Sequence, residues 1–109
     1  MDLKNLCLKY FNAFSNKDLE RIEEMIVAGV QLRDWDIKAY GSIDLIAANK
    51  RIFDSVESII VIPVAMYQEG STVIAELEII VDGKEHINVV DIITFNEQQK
   101  IIKITAYKG

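Results

Sequence analysis

From residue 58 onward the chain leaves little room for anything but neighbouring antiparallel strands. Residues 58–68, 72–81, 86–95 and 101–107 are rich in Val, Ile, Thr and aromatic side chains, and the short links between them are built on "EGS", "DGK" and "NEQQ". Links this short are hairpin connections, because a parallel crossover needs a dozen residues or more. The second half of the chain is therefore read as a four-strand meander. Its first strand, "IIVIPVAM", is apolar on both faces. One face can cover the rest of the chain, and the other calls for a cover of its own, most simply a second subunit. Pro63 within it implies a bulge or an edge position, since proline cannot donate to a ladder.

The first half has a different period. Leu3, Leu6, Cys7, Tyr10, Phe11 and Phe14 recur at helical spacing over residues 2–14, which predicts a helix with one apolar stripe. "SNKD" breaks it, and "LERIEEMI" then predicts a second helix, closed by Gly29. "VQLRDWD", residues 30–36, alternates as a short strand. A third helix is expected over residues 43–54, with Ser42 as N-cap and Leu45, Ile46 and Ile52 facing inward. Helix, helix, strand, helix and meander is an α+β order. With 109 residues and one Pro, the chain is expected to form one domain, residues 1–109, with one core.

Charge and composition exclude several roles. A net charge of −5 argues against nucleic acid as a partner, since phosphate binding needs a basic footprint. No apolar run reaches transmembrane length, and "MDLKNLCLKYF" lacks the features of a signal peptide. A cytoplasmic protein without membrane association is expected. One Cys and one His rule out an intramolecular disulfide and a zinc site made of those residues alone. No metal or other cofactor is expected. Cys7 reads as a small core residue and His86 as a surface residue at a strand end.

One carboxylate breaks the pattern. In "HINVVDIITF" the parity that collects Ile87, Val89, Ile93 and Phe95 on one face also places Asp91 there. A shift of one residue would swap the faces. A carboxyl in such a place must be paired, hydrogen-bonded or protonated. Tyr10 lies on the apolar stripe of the first helix, so its hydroxyl also needs a partner. Asp34 shares parity with Val30 and Leu32 and is expected to point inward.

The order of elements, together with "YFNAFSNKDLERIEEMI", "YGSIDLI" and "VVDIITFNEQQKIIKITAYKG", resembles the family of small cone-shaped domains that includes nuclear transport factor 2, ketosteroid isomerase and the SnoaL-like polyketide cyclases. The resemblance spans nearly the whole chain. It implies an NTF2-like cone, in which a strongly curved, mostly antiparallel sheet wraps three N-terminal helices around a deep apolar pocket. It also implies a homodimer formed through the outer sheet face. The isomerase branch uses a tyrosine on the first helix, an aspartate after the second and an aspartate on the strand before the last. Those positions correspond here to Tyr10, Asp34 and Asp91.

By this resemblance Asp34 would be the base, and Tyr10 with a protonated Asp91 would donate to the developing oxyanion. The substrate would be a small, largely apolar carbonyl compound, with Phe14, Trp35, Val89 and Ile93 lining the pocket. In the cyclase branch the aspartate at the position of Asp91 would itself be the general acid/base. Trp35 stands where isomerases usually carry Pro, so the aim of Asp34 stays open between the pocket, a pair with Arg33 and a solvated turn. The alternative to an enzyme is a ligand-binding or dimeric interaction module on the same fold.

Overall fold

The computed structural model describes residues 2–109. Three helices precede or interrupt a mixed six-stranded sheet ordered β2-β1-β6-β5-β4-β3. The elements are α1 (Leu3–Ser15), α2 (Leu19–Met25), β1 (Ile26–Arg33), β2 (Lys38–Tyr40), α3 (Ser42–Ser55), β3 (Ile59–Glu69), β4 (Thr72–Val81), β5 (Glu85–Phe95) and β6 (Ile101–Lys108). The meander expected from the short links is β3 to β6, antiparallel throughout. β1 joins it by pairing parallel to β6, and the short β2 closes the other edge.

The helices are held by local chemistry at their ends. The Asp2 carboxylate accepts from the Asn5 N–H and caps α1, and Asp18 does the same for α2 through the Arg21 N–H. The α3 C-terminus takes a cation: Lys17 Nζ donates to the carbonyls of Phe53, Val56 and Glu57 at 2.9, 2.7 and 3.1 Å. This places a positive charge where the helix dipole is negative and satisfies orphan carbonyls. The three-residue "DGK" connection has positive φ at both Asp82 and Gly83, and the Lys84 N–H donates to the Val81 carbonyl at 3.0 Å, a turn whose twist matches that of the flanking strands.

Three local expectations are corrected. Gly29 does not close α2. The helix stops at Met25, because Ile26 is drawn into the sheet opposite Ile101. Gly29 instead sits in the stretch between Ile26 and Gln31 where the β1–β6 register shifts, a common use of glycine in strands. Ser42 is the first residue of α3 rather than its cap. The cap is Gly41, whose φ of 88° is one that L side chains rarely adopt. The strand expected over residues 30–36 starts four residues earlier and ends at Arg33, and β2 was not expected at all. Pro63 satisfies both of its readings, since β3 is an edge strand and its register shifts between Pro63 and Ala65.

The core fills the concave side of the sheet. α1 packs on β3 and β4, while α3 packs on β1 and β2. Leu3, Cys7, Phe11, Leu45, Leu77 and Ile93 are among its buried residues. The convex side stays uncovered: Ile60, Ile62, Val64, Tyr67, Ile74 and Tyr107 are exposed. Tyr67, Ile74 and Ile92 form a cross-strand row on that side. No helix among the described residues is long and apolar enough to cross a membrane.

Candidate active site

The helices do not fill the cone. A largely apolar cavity of about 250 Å³ remains between them and the sheet, and Tyr10, Asp34 and Asp91 all border it. Three elements distant in sequence thus bring the three polar candidates to one space.

Asp91 stands in mid-sheet on β5, opposite Ala75 of β4 and Ala106 of β6. These small neighbours leave open the space above the carboxyl that larger residues would fill. Val89 and Ile93 flank Asp91 on the same face and are buried. The carboxyl makes no hydrogen bond with a described residue. Burial first, and then the negative charge of Asp34, push its pKa from 3.8 to about 7. The parity reading of the sequence therefore holds, and the third of its options, protonation, is the one the surroundings favour.

Tyr10 is only 5% exposed. It packs edge-on to Phe11 at 5.8 Å and lies at a tilt to Phe14 at 6.3 Å. Burial, then the charges of Asp91 and Cys7, raise its pKa above the ordinary tyrosine value. The phenol is thereby kept as a neutral donor. Cys7, one helical turn before it, is fully buried. Burial and then Asp91 push this thiol up to about 12, so it is no nucleophile.

Asp34 follows the last residue of β1 and organises the turn to β2. Its Oδ1 accepts from the Asp36 and Ile37 N–H groups at 2.7 and 2.6 Å, and its own N–H donates to the Ile37 carbonyl at 2.9 Å. The pair with Arg33 is not made; Arg33 Nη2 donates to the Tyr107 hydroxyl at 3.3 Å instead. Asp34 is half-buried, borders the cavity and acts electrostatically on Asp91. It is thus both a turn residue and a cavity residue, and Trp35 in place of Pro does not turn it away.

Of the four expected pocket residues, Phe14, Trp35 and Val89 border the cavity. Trp35 does so from the mouth, 45% exposed, with Lys108 Nζ 5.9 Å from its ring centroid. Ile93 does not border it. It is fully buried in the core, because inward parity selects core and cavity residues alike. His86 is exposed on β5, as expected, with Nδ1 3.5 Å from Glu78 Oε2. This pair is set by cross-strand register, which sequence separation does not reveal.

Two polar residues at the cavity were not anticipated. Asp36 joins Asp34 in bordering it from the turn. Asn49 of α3 is 2% exposed, borders the cavity, and its Nδ2 has no hydrogen-bond partner. A buried donor left unmet costs about 1–3 kcal/mol. The signal for it was present: Asn49 follows Leu45 by one turn on the apolar stripe of its helix, as Asp91 sits among apolar residues on its strand. Among the described residues no group of three or more His, Cys, Asp or Glu side chains is placed to hold a metal.

The chain matches no protein-family model and no curated protein by sequence. Its shape has many counterparts. A protein from Shewanella denitrificans, provisionally described as a SnoaL-like polyketide cyclase, superposes with a TM-score of 0.88 at 18% identity, over 98% of this chain and 90% of that one. A provisionally described ketosteroid isomerase from Kribbella flavida gives 0.82 at 13% identity, over 98% of this chain and 77% of the other. An NTF2-like protein of unknown function from Cytophaga hutchinsonii gives 0.83 at 13% identity, over 100% and 91%. The chain has the NTF2-like fold, an α+β cone with an unclosed mixed sheet. Identities this low carry the fold and leave the chemistry to be argued from the cavity.

Proposed function

We propose that the protein is a cofactor-independent enzyme that moves a proton next to a carbonyl group of a small, largely apolar substrate, in the manner of ketosteroid isomerases or polyketide cyclases. The observation that carries this reading is the shared cavity of Tyr10, Asp34 and Asp91. In this mechanism the substrate carbonyl lies against Tyr10 and Asp91. Asp34 takes the proton from the adjacent carbon. The charge that develops on the carbonyl oxygen is met by the Tyr10 hydroxyl and by the proton on Asp91. Asp34 then returns its proton to a different carbon, and the double bond has moved. With its pKa pushed up to about 7, Asp91 holds its proton to far higher pH than an ordinary carboxyl and so serves as a donor.

A second reading is favoured by one observation: Asp34 Oδ1 is already committed to two backbone donors. If that is its whole role, the cavity is a ligand-binding module without turnover. Titration with 2-naphthol, a phenolic mimic of a dienolate, and conversion of a β,γ-unsaturated ketone separate the two. The enzyme reading expects binding with ionisation of the naphthol, lost in Asp91→Ala, together with conversion of the ketone. Binding without conversion supports the module. No binding to wild type removes the enzyme reading.

The functional unit in this reading is a homodimer in which a second copy covers the row of Tyr67, Ile74 and half-buried Ile92 and the neighbouring exposed Ile60 and Ile62. What supports it is the number of large apolar side chains on the convex face. Sedimentation of wild type against Ile62→Lys tests it, with a shift from dimer to monomer expected.

A further inference from the structure

Asn49 Nδ2 is the one fully buried side-chain nitrogen or oxygen among the described residues that lacks a hydrogen-bond partner. Asn49 comes from α3, which lies on β1 and β2, whereas Tyr10 comes from α1, which lies on β3 and β4; one turn further along, the two helices meet through Phe14 and Phe53, with ring centroids 4.8 Å apart. The next cavity residues along this part of the chain, Ile52 and Val56, are apolar, so neither answers the amide. Leucine would fill a similar volume with no donor to satisfy. An amide kept on an apolar wall, bordering a cavity that already holds donors elsewhere, is what a second polar contact to a ligand requires.

We propose that Asn49 is a specificity-determining residue whose side-chain amide turns toward the cavity to donate to an oxygen acceptor of the ligand, so that the cavity selects compounds with two oxygen functions joined by an apolar body, such as dicarbonyls or hydroxyketones. One oxygen meets Tyr10 and Asp91, and the other meets Asn49. The inference rests on the reading of the cavity as a ligand site, and it adds the second acceptor.

The test uses two probes, 2-naphthol and 6-acetyl-2-naphthol, titrated into the full chain and into Asn49→Leu. The acetyl compound offers a carbonyl at the end remote from the phenol. Wild type is expected to prefer it, and Asn49→Leu is expected to reduce that preference about tenfold while leaving 2-naphthol affinity unchanged. Tenfold corresponds to about 1.4 kcal/mol, the scale of one hydrogen bond. An equal preference in wild type and Asn49→Leu, or no preference in wild type, overturns the role of Asn49 and leaves the ligand site standing. Failure of both probes to bind wild type overturns the ligand site and this inference with it. Should Asn49→Leu not fold, NMR of the wild-type Asn49 side-chain amide decides. Its protons are expected to shift with the acetyl compound and not with 2-naphthol, and equal or absent shifts overturn the proposal.

Discussion

The two aspartates of the cavity carry the same side chain and meet opposite surroundings. Asp91 stands in mid-sheet between two alanines, without a hydrogen-bond donor, and is pushed up to about 7. Asp34 stands at a strand end and takes two backbone N–H groups on one oxygen. A carboxyl with no donors and apolar neighbours keeps its proton, and becomes a donor. The other already accepts from two backbone amides, and in the proposed mechanism it is the one that takes the proton. Acid and base roles can thus be divided between identical groups by depth and backbone geometry alone. The contrast is also coupled, because the charge on Asp34 is one of the causes that keep Asp91 protonated.

The contrast breaks most visibly if the proposed base, Asp34, is removed. Asp34→Asn keeps an Oδ1 acceptor for the turn and loses the carboxylate. Turnover of a β,γ-unsaturated ketone is expected to fall by about 10³-fold, with the melting temperature nearly unchanged. Retained turnover would place the base elsewhere. Asp91→Ala removes a donor instead and is expected to lower kcat by roughly 100-fold. In wild type, kcat/KM should decline as pH rises through about 7, where Asp91 loses its proton. Asp91→Asn keeps an N–H donor, and is expected to flatten that decline while retaining part of the rate.

Stability sharpens the same comparison. The folded chain holds the Asp91 proton up to about pH 7, whereas the unfolded chain releases it near 3.8. The native state therefore binds more protons between those values. The stabilisation is fully present below pH 3.8, falls as pH rises through this window, and is lost above 7. Denaturant titrations are expected to show a loss on the order of 4 kcal/mol attributable to this group across the window, absent in Asp91→Asn. Asp34→Ala has the smallest expected effect. Losing the acceptor of two backbone donors should cost about 1 kcal/mol, read from thermal or denaturant midpoints.

Much of the architecture was legible before any coordinates, because it rests on local period. Alternation and short links give the meander. The stripe from Leu3 to Phe14 gives α1, and parity puts Asp91 inside. The limits of that reading fall where a distant partner decides. Met25 ends α2 because Ile26 pairs with Ile101, 75 positions on. β2 is three residues long and exists only because β1 offers it an edge. Val89 and Ile93 share a face and have the same apolar character, yet one borders the cavity and the other is core.

Sequence by itself determined the three helices, the four-strand meander and the inward direction of Tyr10 and Asp91. These follow from the fixed repeats of helix and strand. Only the tertiary structure decided that Asp34 would tie its own turn and still reach the cavity, that Asp91 would find no donor, and that Asn49 would be left with an unmet amide. Desolvation and hydrogen bonding depend on what packs around a group, and here those neighbours come from segments far apart along the chain.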